Sequence, residues 1–184
     1  WLFTAMIHVD FGRYEEALRA LQLAGSDPQS KVLRESLRGD ALHNLGRFKE
    51  ARISYQQALA AGNNPMLESK LGYTEVRMGL KKMGFAKLQR ARDVMPGMFD
   101  VHNRLLKAYV AADQLQAAAQ EADRFATTVA HPRLFLRAAS LHAQLQQWEQ
   151  GREMLAQGLQ KFPGSPELLH ALQELNATAA ATIA

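Results

Sequence analysis

With 184 residues, 47% of them hydrophobic and 22% charged, the chain has the length and composition of a folded domain with a continuous core. A formal net charge of +4 is too mild for the dense basic stripe that nucleic-acid binding needs, and no run approaches the roughly 18 apolar residues of a bilayer span. The lack of cysteine excludes disulfides, thiolate catalysis and thiolate metal sites, and it suits the cytosol and the bacterial periplasm equally.

The chain opens on an apolar run, Trp1 to Val9, without the basic region or cleavage site of a signal peptide. This run begins inside a helix with no polar cap before it, so further repeats or another domain upstream are expected. From there apolar residues recur at spacings of three and four, the mark of amphipathic helices, and Gly, Pro and Asn clusters interrupt them. Paired helices are predicted at 1–9 with 13–24, 31–44 with 47–61, 65–78 with 81–94, 99–111 with 114–129, and 132–145 with 148–161. A last helix is predicted at 166–177, followed by a tail over 178–184.

The pairs are copies of one unit. "FGRYEEA" at 11–17 returns as "LGRFKEA" at 45–51, and the small residue that ends each stretch recurs as Ala17, Ala51, Gly84, Ala118 and Gly151, at intervals of 33 or 34 residues. Three positions earlier stand Tyr14, Phe48, Lys81, Leu115 and Trp148, and four positions later Leu21, Tyr55, Leu88, Ala122 and Leu155. Gly12, Gly46 and Gly79 lie five before the anchor, and all six prolines fall ten to fifteen residues after one.

A helix-turn-helix period of this length with this residue pattern resembles the tetratricopeptide repeat. The resemblance rests on Phe48, Ala51, Tyr55 and Ala58 in the second unit, Leu71, Gly72, Ala91 and Pro96 in the third, and Phe135, Ala139, Trp148, Leu155 and Pro163 in the fifth. The departures are Lys81 in an aromatic place, Leu106 and Phe125 in places usually small, and Asp113 where glycine is common. The resemblance implies an all-α, right-handed superhelical α-solenoid whose first helices line a concave face. Five repeats are expected at about 1–30, 31–64, 65–97, 98–131 and 132–165, with 166–177 as a C-terminal cap whose apolar face runs through Leu168, Leu169, Leu172 and Leu175.

No residue set for chemistry emerges. There is no GxxxxGK[ST], GxGxxG or HExxH. The histidines His8, His43 and His142 recur with the repeat, which fits a half-buried polar place on each first helix better than a metal site. No enzyme activity, cofactor or metal is expected within these residues.

Function is therefore expected on the concave face, where Ser69, Tyr73, Val76, Arg77, Asn103 and Lys107 are among the inward-facing places. Lys70, Arg104 and Arg137 share one place in three consecutive units, and Arg133 precedes Arg137 by one turn. Like charges at that spacing cost roughly 0.2 to 0.5 kcal/mol, which points to an acidic ligand. The competing reading is a solvated edge compensated by Glu68, Glu75 and Asp100. The expected site is Lys70, Tyr73, Arg77, Asn103, Arg104, Lys107, Arg133 and Arg137. Chaperone-binding members of the family hold a partner's C-terminal carboxylate with a fuller set. Here Arg133 and Arg137 resemble its basic pair, but Ser69, Tyr73 and Arg104 stand where the rest should be.

The expected function is a non-catalytic protein–protein interaction scaffold that binds a peptide or protein partner in the groove. The partner is expected to be a protein or peptide, with an acidic segment or an acidic polysaccharide as candidates, rather than nucleic acid. The alternative is an accessory repeat region of a larger bacterial enzyme or export machine, such as a glycosyltransferase or an exopolysaccharide secretion protein, which repeats of this kind accompany.

Overall fold

The computed structural model describes residues 1–25 and 27–183. Among the described residues there is no strand. The helices are α1 (Leu2–Asp10), α2 (Tyr14–Leu23), α3 (Lys31–Asn44), α4 (Phe48–Leu59), α5 (Pro65–Arg77), α6 (Lys81–Val94), α7 (Phe99–Ala111), α8 (Leu115–Val129), α9 (Pro132–Gln144), α10 (Trp148–Lys161) and α11 (Pro166–Ile183). A 3-10 turn, Pro28–Ser30, leads into α3 and is held by Asp27, whose carboxylate accepts from the backbone N–H groups of Gln29 and Ser30. The chain divides into two compact units, one of Trp1–Met95 with α1 to α6 and one from Pro96 onward with α7 to α11.

Each hairpin turns in the same way. The residue five before each anchor is left-handed in all five copies, at φ 71° for Gly12, 75° for Gly46, 86° for Gly79, 59° for Asp113 and 58° for Gln146. The next N–H reaches back to close the first helix: Arg13 to the carbonyl of His8, Arg47 to Leu42, Leu80 to Glu75, Gln114 to Tyr109 and Gln147 to His142. This is the Schellman closure, which satisfies carbonyls at a helix end and needs one left-handed residue. Asp113 departs from glycine in chemistry only, because its backbone keeps the glycine conformation.

The small anchors sit where helices meet. Ala17, Ala51 and Ala118 are fully buried. A Cβ on Gly84 would lie 2.5 Å from the carbonyl oxygen of Gly72, and one on Gly72 would lie 2.7 Å from that of Gly84, so α5 and α6 approach backbone to backbone. In the first unit one core cluster gathers Ala5, Ala20, Leu21 and Leu37, and a second gathers Leu42, Ala51, Tyr55, Ala58, Leu67 and Leu71. Glu75, fully buried, accepts from Arg52 at 3.2 Å and Lys87 at 2.8 Å, tying α4, α5 and α6 together. In the second unit Leu105, Phe125, Phe135, Leu155 and Leu168 fill the interior.

Two expectations are corrected. Ser69 and Val76 are buried rather than lining a face: the hydroxyl of Ser69 donates to the carbonyl of Met66, and Val76 crowds the Gly72–Gly84 contact. The last helix does not stop at 177 but continues to Ile183, so 178–183 is helix and not tail, and Ala184 lies outside the described residues. The run "NATAAATI" contains neither Gly nor Pro to end a helix and is rich in alanine, the best helix former, and Ala179 is fully buried.

Candidate functional site

The second unit contains a cavity of about 450 Å³ lined by residues of α7, α8, α9 and the α8–α9 turn. Phe99, Asn103 and Leu106 project from α7 at spacings of four and three, which place them on one helix face. Phe125 and Val129 come from α8, four apart, and Leu134 and Arg137 with Arg133 come from the start of α9. The α8–α9 turn is set by Ala130, which is left-handed at φ 50°, by His131, whose Nδ1 accepts from the N–H of Arg133 at 3.2 Å, and by Pro132 at the first helical position. These local bonds aim Arg133 and Arg137 at one edge of the cavity.

The floor is apolar. Leu106, Phe125 and Leu134 are buried, whereas Phe99 and Val129 at the mouth are exposed. The ring of Phe125 stacks on that of His102 with centroids 4.1 Å apart, and Phe99 lies 5.8 Å from Phe125. His102 is itself buried and held at both nitrogens, Nδ1 2.6 Å from Glu121 Oε1 and Nε2 2.8 Å from the carbonyl oxygen of Pro96. A clamped imidazole thus backs the pocket wall. Leu106 and Phe125 stand in repeat places that are usually small, and both line the cavity.

The rim carries charge that the protein leaves largely unmet. Among the described residues no carboxylate is ion-paired with Arg133 or Arg137. The charge of Arg133 reaches Glu167, whose carboxyl is held below the ordinary range first by its own backbone N–H, then by the Ser165 hydroxyl, and last by Arg133.

The other expected residues lie elsewhere. Lys70 donates to Asp40 at 2.6 Å and to Ser36 at 3.4 Å, so its charge is met within the protein by α3. That partner is none of the three carboxylates expected: Glu68 binds Arg90, and Glu75 binds Arg52 and Lys87. Tyr73 packs 5.0 Å from the ring of His43, and the guanidinium of Arg77 sits 4.9 Å above Phe48. Together they form an aromatic seam across α3, α4 and α5. Arg104 and Lys107 are on α7 but do not line the cavity. Of the eight expected residues, Asn103, Arg133 and Arg137 are brought together. The apolar lining was not anticipated, although the size of Leu106 and Phe125 was the signal for it.

Two family models match the sequence, a tetratricopeptide repeat-like domain over residues 3–76 and a tetratricopeptide repeat over 132–175. The chain belongs to the tetratricopeptide-repeat family. Among curated proteins this TPR chain is similar to the TPR repeat-containing protein YpiA of Bacillus subtilis, 27% identical over 136 residues, which cover 72% of this chain and 32% of YpiA. It therefore spans about a third of that relative's length. Among solved structures it resembles a thermophilic TPR protein of Thermus thermophilus, with a TM-score of 0.64 and 15% identity over 96% of this chain and 97% of the other. It also resembles YrrB, described as a TPR protein with an unusual peptide-binding site, with a TM-score of 0.56 and 22% identity over 92% and 88% of the two chains. The TPR fold explains the turns and the small anchors. Leu106 and Phe125, where this chain departs from the family pattern, both line the cavity.

Proposed function

We propose that this chain is a non-catalytic interaction scaffold and that the cavity between α7, α8 and α9 holds a segment of its partner. The observation that carries the reading is one concave site with a buried apolar floor, an exposed aromatic at the mouth and a few convergent polar groups, the general form of a recognition pocket. The fold supports it, since TPR proteins generally serve as protein-interaction scaffolds. YrrB, a neighbour in fold, is described as having a peptide-binding site.

The test is selection of peptides on the purified chain from a random displayed library, followed by rebinding to Asn103→Trp. Asn103 is half-buried at the pocket rim, so an indole there fills the mouth without entering the core. Selected peptides are expected to lose about tenfold or more in affinity for a variant whose circular dichroism is unchanged. Peptides that bind both proteins equally would place recognition outside this cavity.

A further inference from the structure

We infer that the partner segment is an acidic peptide with one bulky apolar side chain, which enters between Phe99, Phe125 and Val129 while its flanking carboxylates pair with Arg133 and Arg137. This rests on the reading of the cavity as the binding site and adds the chemistry of its occupant.

Three observations converge on it. First, the apolar part of the site is unfinished. Phe99 is 55% and Val129 37% exposed at the mouth, above a floor in which Leu106 and Phe125 are almost wholly buried. An inserted leucine or phenylalanine side chain removes both mouth residues from water and is itself desolvated. Second, the charges at the edge are of one sign and sit four residues apart on α9, a spacing that is repulsive until an anion arrives. Lys70, in the same repeat place one unit earlier than Arg104 and two earlier than Arg137, is instead satisfied by Asp40. The basic place is thus neutralised within the protein at Lys70, and at Arg137, on the edge of the cavity, it is left for something else to neutralise. Guanidinium groups bind carboxylates through paired, charge-assisted hydrogen bonds, which give direction as well as attraction. Third, Asn103 supplies an amide at the rim that both donates and accepts, the complement of a peptide backbone.

Glu167 acts against an acidic ligand by its charge near Arg133, but its carboxylate is already satisfied by its own backbone and by Ser165. Arg137 has no such competitor among the described residues. It is therefore the stronger contact of the two.

The test uses fluorescence anisotropy with three labelled peptides of equal length. One carries a leucine between glutamates, one the same leucine between lysines, and one an alanine between glutamates. The first is expected to bind, with affinity falling as salt rises, and the other two about tenfold or more weakly. Arg133→Glu with Arg137→Glu is expected to abolish the preference, and Arg133→Gln with Arg137→Gln to reduce it, both with native helicity. Glutamate and lysine peptides that bind equally, yet are both lost in Asn103→Trp, would leave the pocket as the binding site and overturn the acidic assignment. Binding untouched by Asn103→Trp, or no binding by any of the three peptides, would overturn this inference, and the first of these would remove the pocket reading as well.

Discussion

Gln146 shows what the repeat asks of a single residue. It stands where three other copies have glycine, and its backbone adopts the same left-handed conformation, at φ 58°. A non-glycine residue with a long side chain is disfavoured there, because its Cβ crowds the following carbonyl, whereas aspartate tolerates the region better. The side chain is exposed and holds nothing, so Gln146→Gly removes strain without removing a contact. The variant is expected to gain about 0.5 to 1 kcal/mol, read as a rise of roughly 1 to 4 °C in melting temperature for a chain of this size. Asp113→Gly should gain less. A fall in stability for Gln146→Gly would mean that the unfolded-state entropy of glycine outweighs the relieved strain.

At the scale of elements, the contact between α5 and α6 leaves no room for a side chain between the two backbones. A methyl group on Gly84 meets the carbonyl oxygen of Gly72 at 2.5 Å, Val76 Cγ2 at 2.6 Å and the Val76 nitrogen at 2.8 Å. Two of the three are backbone atoms that cannot rotate away, so Gly84→Ala must push the helices apart. A loss of about 1 to 3 kcal/mol is expected from such overpacking, measured by urea denaturation, and it should exceed the gain in helix propensity of roughly 1 kcal/mol. This level of organisation was legible in the sequence, because helix pairing depends on residues at fixed offsets: the anchors, the residue four after each, and the left-handed turn. The end of α11 was less legible, since no breaker marks it. The partner of Lys70 was not legible at all: Asp40 lies thirty residues away, and only the stacking of α3 against α5 brings them within 2.6 Å. The pocket depends on volume in the same way. Leu106 and Phe125 were visible as oversized residues, but whether oversized residues fill a space or hold one open is decided by the neighbouring helices.

For the whole molecule, each of the two units carries its own core, and repeat proteins hold together through interactions between neighbouring elements rather than through one central core. Damage at the α5–α6 contact should therefore be felt first where it is made. In Gly84→Ala, native-state hydrogen exchange is expected to lose protection across α4, α5 and α6, whose shared tie is Glu75 with Arg52 and Lys87. The helices α8, α9 and α10 should keep theirs, because the open states of such chains are contiguous groups of elements and not the whole fold. Peptide affinity gives a second readout of the same question. The cavity is built entirely from α7, α8, α9 and the turn before α9, so Gly84→Ala should leave binding near wild type at temperatures where its own helices are loosened. Uniform loss of protection, together with loss of binding, would show instead that the two units open as one cooperative body and that the pocket draws its rigidity from the full length of the chain.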